Sequence, residues 1–260
     1  MNETLSILEI MKYIKQIIFW ILAGIIPACA ADRLVDELLA RYDKVKTVSC
    51  EVRRTSTTPK GKVRSLSRVH YKKPDRIHVD STSPIKRRHI SNGERLYYYV
   101  EGDPKGFSKP VDELDEEWLF SLRQVPGTAM KHLFKIDDAE EDELPATEEF
   151  PVRRGYRVGE VYVVLSLGPK EKLQQVEYFD SPEMEKRILR TEYRNFEEVL
   201  PGVEIPCYHA TELKFQGIEK AEDVQFLNMQ VNKPMAKGLF NPAIYFDDVE
   251  FVDSFDEIYK

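Results

Sequence analysis

The chain has 260 residues, 42% of them hydrophobic and 32% charged, and a net charge of −7 at pH 7. That length supports one large domain with a sizeable core. The acidic balance argues against a nucleic-acid ligand, which needs a basic face to neutralise phosphates.

Residues 1–30 read as an export segment. Lys12 and Lys15 form a basic region, and Ile17 to Ile26 is an uncharged run of ten residues, short of the about 20 that a membrane span takes. Ala28-Cys29-Ala30 supplies the small residues of a cleavage site after Ala30, and Met11 is an alternative start. A second reading makes Cys29 an acylated lipoprotein cysteine, although Pro27 fits that motif poorly and a helical pattern begins almost at once. A third leaves the segment as an uncleaved anchor. The expectation is a periplasmic single domain over residues 31–260. Cleavage removes two lysines and two glutamates, so the charge stays at −7. It leaves Cys50 and Cys207, which either bridge in an oxidising compartment or remain two separate buried thiols.

Leu34, Leu38, Tyr42 and Val45 recur at helical spacing, which predicts an amphipathic helix from Asp32 to about Lys44. The period then becomes two. Val48, Cys50 and Val52 alternate with polar residues as in a half-buried strand. Thr58-Pro59-Lys60-Gly61 turns the chain into a second strand, Val63 to Tyr71. Pro74, which cannot donate to a ladder, marks the next corner. Short strands over 76–80, 87–90 and 95–100 follow, with Asn92-Gly93 as a hairpin turn. In the middle, Asp112 is placed to cap a helix striped by Leu114, Trp118, Leu122 and Val125 and broken at Pro126-Gly127, with a second helical turn over 128–134. Asp137 to Glu149 holds eight acids in thirteen residues without lysine or arginine, which predicts a solvated, mobile loop. Strands resume over 156–167, 173–179, 187–196, 207–215 and 224–231, and the tail reads as loop with one last short strand. The sum is an antiparallel, mainly β protein with ten to twelve strands and two or three helices, an α+β class.

No nucleophile elbow, zinc motif, P-loop or dinucleotide fingerprint occurs, and the five histidines lack metal-site spacing, although His70 and His78 can approach across neighbouring strands. The expectation is a non-enzyme without cofactor or metal. The positive signal is aromatic: Tyr97, Tyr98, Tyr99, Phe107, Trp118 and others spread over strands and the middle helix. They suit a filled core, the plainer reading; the alternative is an incompletely filled barrel whose apolar cavity takes an acyl chain beneath a Trp118 lid.

The order of these motifs resembles the LolA/LolB-like outer membrane lipoprotein carrier family. The likeness rests on the Leu34–Val45 helix, Tyr71-Lys72-Lys73-Pro74 and Ser91-Asn92-Gly93-Glu94-Arg95-Leu96-Tyr97-Tyr98-Tyr99. In the second half it rests on Arg190-Thr191-Glu192-Tyr193, Gly202-Val203-Glu204-Ile205-Pro206, Val231-Asn232-Lys233-Pro234 and Phe240-Asn241-Pro242. The resemblance implies an unclosed antiparallel β-barrel of about eleven strands covered by helices, monomeric, with a hydrophobic cavity for lipoprotein acyl chains or another lipid. It also implies an inner-membrane donor and an outer-membrane acceptor. The cavity and lid residues it suggests are Lys73, Leu96, Tyr97, Tyr99, Phe107, Leu114, Trp118 and Leu122. In the carriers the arginine of a Lys-Arg-Pro corner bonds to the lid. Here that position is Lys73, and lysine has no planar fork for a bidentate bond.

Overall fold

The computed structural model describes residues 33–258. The export segment and Cys29 lie outside the described residues. From Val35 onward the chain forms one compact unit.

Fourteen strands make one sheet in the order β14-β6-β5-β4-β3-β2-β1-β13-β12-β11-β10-β9-β8-β7. Two antiparallel meanders are thus zipped together by the pairing of the first strand with the thirteenth. The first comprises β1 (Thr47–Thr58), β2 (Gly61–Lys72), β3 (Arg76–Ser83), β4 (Arg87–Asn92), β5 (Arg95–Val100) and β6 (Gly106–Pro110). The second comprises β7 (Glu141–Glu143), β8 (Val152–Val158), β9 (Val161–Leu167), β10 (Leu173–Phe179), β11 (Arg187–Leu200), β12 (Val203–Phe215) and β13 (Ile218–Val231). A short parallel strand, β14 (Phe251–Val252), is added beside β6. The sheet remains unclosed, with β14 and β7 at its edges.

The hairpin rhythm follows from local chemistry. The β1–β2 turn falls at Pro59-Lys60, and Gly93 at φ +94° closes the β4–β5 hairpin. There the Asn92 side-chain oxygen accepts from the backbone N–H groups of Glu94 and Arg95 at 2.9 and 2.8 Å. The strand count exceeds the sequence expectation for identifiable reasons. Gly159 at φ +58° splits the expected single strand over 156–167 into the β8–β9 hairpin, and β6 follows the Gly102 turn where no strand was predicted. The acidic stretch contains β7 instead of being wholly loop. Its Glu141 takes the Arg154 guanidinium at 3.0 Å and the Tyr156 hydroxyl at 2.7 Å, and Asp142 takes the Tyr162 hydroxyl at 3.0 Å. Partners on β8 and β9 offset the repulsion that the acids alone would suffer.

Among the described residues three α-helices accompany the sheet: α1 (Leu34–Arg41), α2 (Glu116–Arg123) and α3 (Met130–Ile136). The chain leaves the first meander at β6, near one sheet edge, and begins the second at β7, the other edge. The α2–α3 segment must therefore cross the sheet, and it does so over one face, called inner below. Asp115, rather than Asp112, caps α2, accepting from the Trp118 N–H at 3.0 Å. Residues Val111–Glu113 form a separate 3-10 turn. The main core lies on this face, where Val48, Cys50, Val52, Val69 and Tyr71 meet Val45, Val125, Met130, Ile205 and Val224. Cys50 and Cys207 are free and buried in this structure. Burial pushes their thiols up to about 12 and about 11, so both stay protonated and inert.

Candidate functional site

The inner face of a strand carries alternate residues, so cross-strand register orders what a ligand would meet there. The deepest row runs Val48–Tyr71–Ile77–Ser91–Leu96, and the next Cys50–Val69–Val79–His89–Tyr98. After these come Phe226–Val52–Ser67–Ser81–Arg87 and then Ser65–Arg54–Val224–His209–Tyr193. The last full row is Val63–Ser56–Glu222–Thr211–Thr191. Between this face and the α2–α3 segment lies a cavity of about 680 Å³, within the range of about 300–1,000 Å³ typical of small-molecule sites. Its floor and roof are apolar, with Val69, Ile77, Val79, Leu96, Trp118, Leu122 and Phe226. Toward the hairpin tips the walls become polar, with Arg54, Arg87, Lys131, Lys220 and Glu222. A second hollow of about 730 Å³ on the other flank of α2–α3 is walled by Phe120, Phe134, Val163 and Tyr178 and rimmed by Glu116, Lys135, Asp138 and Arg157.

Specific bonds seat the roof. The Tyr71 hydroxyl donates to the Arg123 carbonyl at 2.9 Å, fastening the end of α2 to β2. Gly127, at φ +89°, lies so close to β12 that a Cβ there would fall 2.8 Å from Ile205 Cγ2 and 3.0 Å from the Pro206 carbonyl oxygen. Its own carbonyl accepts from His209 Nε2 at 2.6 Å. The approach needs glycine, which explains Pro126-Gly127 as more than a helix break. On α3, His132 Nδ1 lies 2.9 Å from the Tyr178 hydroxyl.

The cavity walls hold their histidines neutral. Burial lowers His89 to about 4, helped by Arg87 and Arg54. His209 is also lowered to about 4, burial outweighing its bond to the Gly127 carbonyl, with Lys131 and Arg54 acting in the same direction. His132 is held well below the usual histidine range by burial, then by Lys131 and Lys135. Lys131, although exposed to solvent at the mouth, is lowered chiefly by desolvation against the cavity wall. Burial alone would raise the Glu222 carboxyl, but Arg54, Lys220 and hydrogen bonds together bring it below the ordinary value. No group of three or more His, Cys, Asp or Glu among the described residues could hold a metal ion.

The expected site residues separate into four groups. Leu96, Trp118 and Leu122 come together and line the cavity. Leu114 packs behind them against the same apolar cluster. Phe107, on the same side of the sheet as Tyr98, does not line the cavity, because Phe255 stacks on it at 4.1 Å. Tyr97 and Tyr99 are corrections: alternation turns them to the opposite, outer face, where the tail covers them. Phe246 lies 6.3 Å from each ring, and Phe251 lies 5.3 Å from Tyr97. Lys73 is also a correction. Its Nζ sits 3.1 Å from Asp43 Oδ1, just beyond α1, and does not reach α2. The bond from this corner to the roof comes from Tyr71 instead. His70 and His78 do face each other across β2 and β3, with ring centroids 6.1 Å apart. His78 Nδ1 lies 2.9 Å from the Leu239 carbonyl oxygen of the tail, and His70 Nδ1 lies 2.9 Å from the Ser49 hydroxyl.

The residues that sequence reasoning missed are the polar ones, Arg54, Arg87, His89, Lys131, His209 and Glu222. A signal existed for Arg54. Continuing the Val48, Cys50, Val52 alternation by one more step places it on the inner face.

This architecture is a LolA-like fold. A LolA superfamily protein from Nitrosomonas europaea superposes with a TM-score of 0.52 at 13% identity, covering 80% of this chain and 97% of that one. A domain assigned to the outer membrane lipoprotein-sorting proteins of Vibrio parahaemolyticus gives 0.54 at 12%, covering 81% and 96%. A DUF1329 family protein from Desulfovibrio piger gives 0.54 at 10%, covering 81% and 95%. No family model matches the sequence, and no curated protein matches it. At these identities the likeness establishes the fold.

Proposed function

We propose that the protein is an exported, periplasmic, non-enzymatic carrier that shelters the acyl chain of a lipid or lipoprotein. The observation that carries this reading is the 680 Å³ cavity with its floor of Val69, Ile77, Val79 and Leu96 under Trp118 and Leu122. Transfer of a chain from water to this floor gains about 0.8 kcal/mol per buried CH₂, and the bound molecule orients itself because only one end of the cavity is apolar. Entry and release require the α2–α3 roof to shift. The roof is held by few bonds, chiefly Tyr71 to Arg123 and His209 to Gly127. A membrane-bound donor and acceptor that compete for those contacts complete the cycle. The fold neighbours that bear the LolA and lipoprotein-sorting names support the reading.

The test is lipid extraction and uptake. Native mass spectrometry of the purified protein should show a bound lipid, and the delipidated protein should take up a fluorescent fatty acid that unlabelled lipid displaces. Absence of both results overturns the reading.

A further inference from the structure

The charges in the mouth of the cavity do not balance, although the protein as a whole is acidic. Four cations line it, Arg54, Arg87, Lys131 and Lys220, against two carboxylates, Glu117 and Glu222. Both carboxylates are already engaged. Glu222 is shared by Arg54 at 3.5 Å and Lys220 at 3.1 Å and also accepts from the Ser56 hydroxyl at 3.0 Å. Glu117 pairs with Lys135 from α3. Arg87 and Lys131 have no carboxylate within ion-pair distance among the described residues.

Their placement is structural. Arg87 stands in the row Phe226–Val52–Ser67–Ser81, between Ser81 and Val100, and Lys131 comes down from α3 between the buried Met130 and His132. Ser67 and Ser81 bond to each other at 2.7 Å in the row that holds Arg87, and Thr191 and Thr211 at 3.1 Å in the row beyond Arg54, so hydroxyls flank the cations on the inner face. His89, opposite Val79, keeps Nε2 out of solvent and without a hydrogen-bond partner. Arg54, Arg87 and Lys131 are exposed to solvent, so the cations at the mouth are accessible to an entering ligand. An anion seated among them gains charge-assisted hydrogen bonds, about twice as strong as neutral ones.

Resting on the acyl-chain reading above, we infer that the ligand is an anionic amphiphile, its phosphate or carboxylate headgroup seated among Arg54, Arg87 and Lys131 and its chain on the Val69–Leu96 floor. Arg54 and Arg87 offer forked N–H donors, and Lys131 supplies a point charge from the roof. Occupation of the headgroup site ties β1 and β4 to α3, so an anionic headgroup also holds the roof over its own chain.

Trp118 supplies the readout. It is the only tryptophan besides Trp20, so a Trp20→Phe background makes its fluorescence a report on the cavity. That protein is titrated with lysophosphatidylglycerol, a fatty acid, and lysophosphatidylcholine of one chain length, and with glycerol phosphate, which has no chain. The expected result is that one or both anionic amphiphiles bind at least about tenfold more tightly than the zwitterionic one, and that glycerol phosphate alone binds far more weakly. Lys131→Gln and Arg87→Gln should each remove most of that preference, weakening the anionic complexes more than the lysophosphatidylcholine complex. Added salt should weaken only the anionic complexes. Equal binding of the anionic and zwitterionic lipids overturns the headgroup assignment and leaves the acyl-chain reading standing. Binding of none of the lipids overturns both, and glycerol phosphate binding as tightly as its lipid overturns the need for a chain. Thermal melts of the two variants show that they are folded. Neither residue is in an ion pair, so their melting points should stay close to that of the parent.

Discussion

The two faces of strands β3 to β6 carry similar residues and use them in opposite ways. On the outer face, Tyr97 and Tyr99 pack against Phe246 and Phe251. His78 meets the Leu239 carbonyl and the Tyr245 ring, and Arg88 lies over Tyr245. The C-terminal tail seals this side into ordinary core. On the inner face, Ile77, Val79, His89 and Leu96 look into a hollow, because the segment that covers them, α2 with its connection to α3, crosses as a bridge instead of lying flat. The covering element, not the residue type, separates the sealed aromatics from those that border the cavity. Phe107 illustrates this: it belongs to the inner side by register, yet Phe255, coming round the sheet edge after β14, closes it off.

Acidification should strain both faces, with the largest effect. His78 outside and His89 and His209 inside are all held near 4, burial being the main cause. The unfolded chain binds these protons first, so stability is fully present above about pH 6.5 and is lost as pH falls toward 4, by up to about 3 kcal/mol per histidine. Melting temperature measured from pH 7 to 4.5 should fall steeply, and His209→Gln should flatten part of the fall; a level profile would contradict the neutral assignment. Next, Phe246→Ala should cost about 3 kcal/mol in chemical denaturation, because it empties the outer core, while lipid uptake stays unchanged. Trp118→Ala should do the reverse, weakening lipid binding about tenfold with a smaller loss of stability. If Trp118→Ala costs only stability and leaves uptake intact, the contrast between the faces collapses. Asp115→Ala removes the α2 cap, at about 1 kcal/mol, and should speed lipid exchange by loosening the roof. Lys73→Ala should be nearly silent, within about 0.5 kcal/mol, because it breaks only an exposed pair with Asp43 and no contact with α2.

Much of the fold was legible as periodicity. Val48-Cys50-Val52, the Thr58–Gly61 turn, the Pro74 corner and the Asn92-Gly93 hairpin all mark local events, and the structure places strands and turns there. The helices around Trp118 and His132 were legible too, displaced by a few residues because Asp115 and not Asp112 supplies the cap. Three cavity residues, Leu96, Trp118 and Leu122, were also within reach, since each stands on the apolar side of its own element. Tyr97 and Tyr99 were misplaced because three consecutive tyrosines conceal which of them share a face. Arg54 was missed because the first strand was ended at Arg53, where its apolar alternation stopped, whereas Arg87 and Lys131 lay inside predicted elements with no local mark of the face they share. Further along, backbone conformations reset the alternation itself. Asn228, at φ +54°, lies at the shift in the β1–β13 register between Ser49 and Glu51, and a bulge of this kind reverses which side chains point inward.

By itself, then, the sequence determined an antiparallel, mainly β chain with a helical bridge in its middle, because turns, caps and alternation are interactions between residues close in the chain. Tertiary structure alone decided that β1 pairs with β13, that the tail covers one face while α2 and α3 bridge the other, and that Arg54, Arg87 and Lys131 converge at the mouth of one cavity. Those outcomes depend on residues far apart in sequence meeting across the sheet. The hydrophobic effect, which is non-directional, favours burial of an apolar face without specifying which distant segment will cover it.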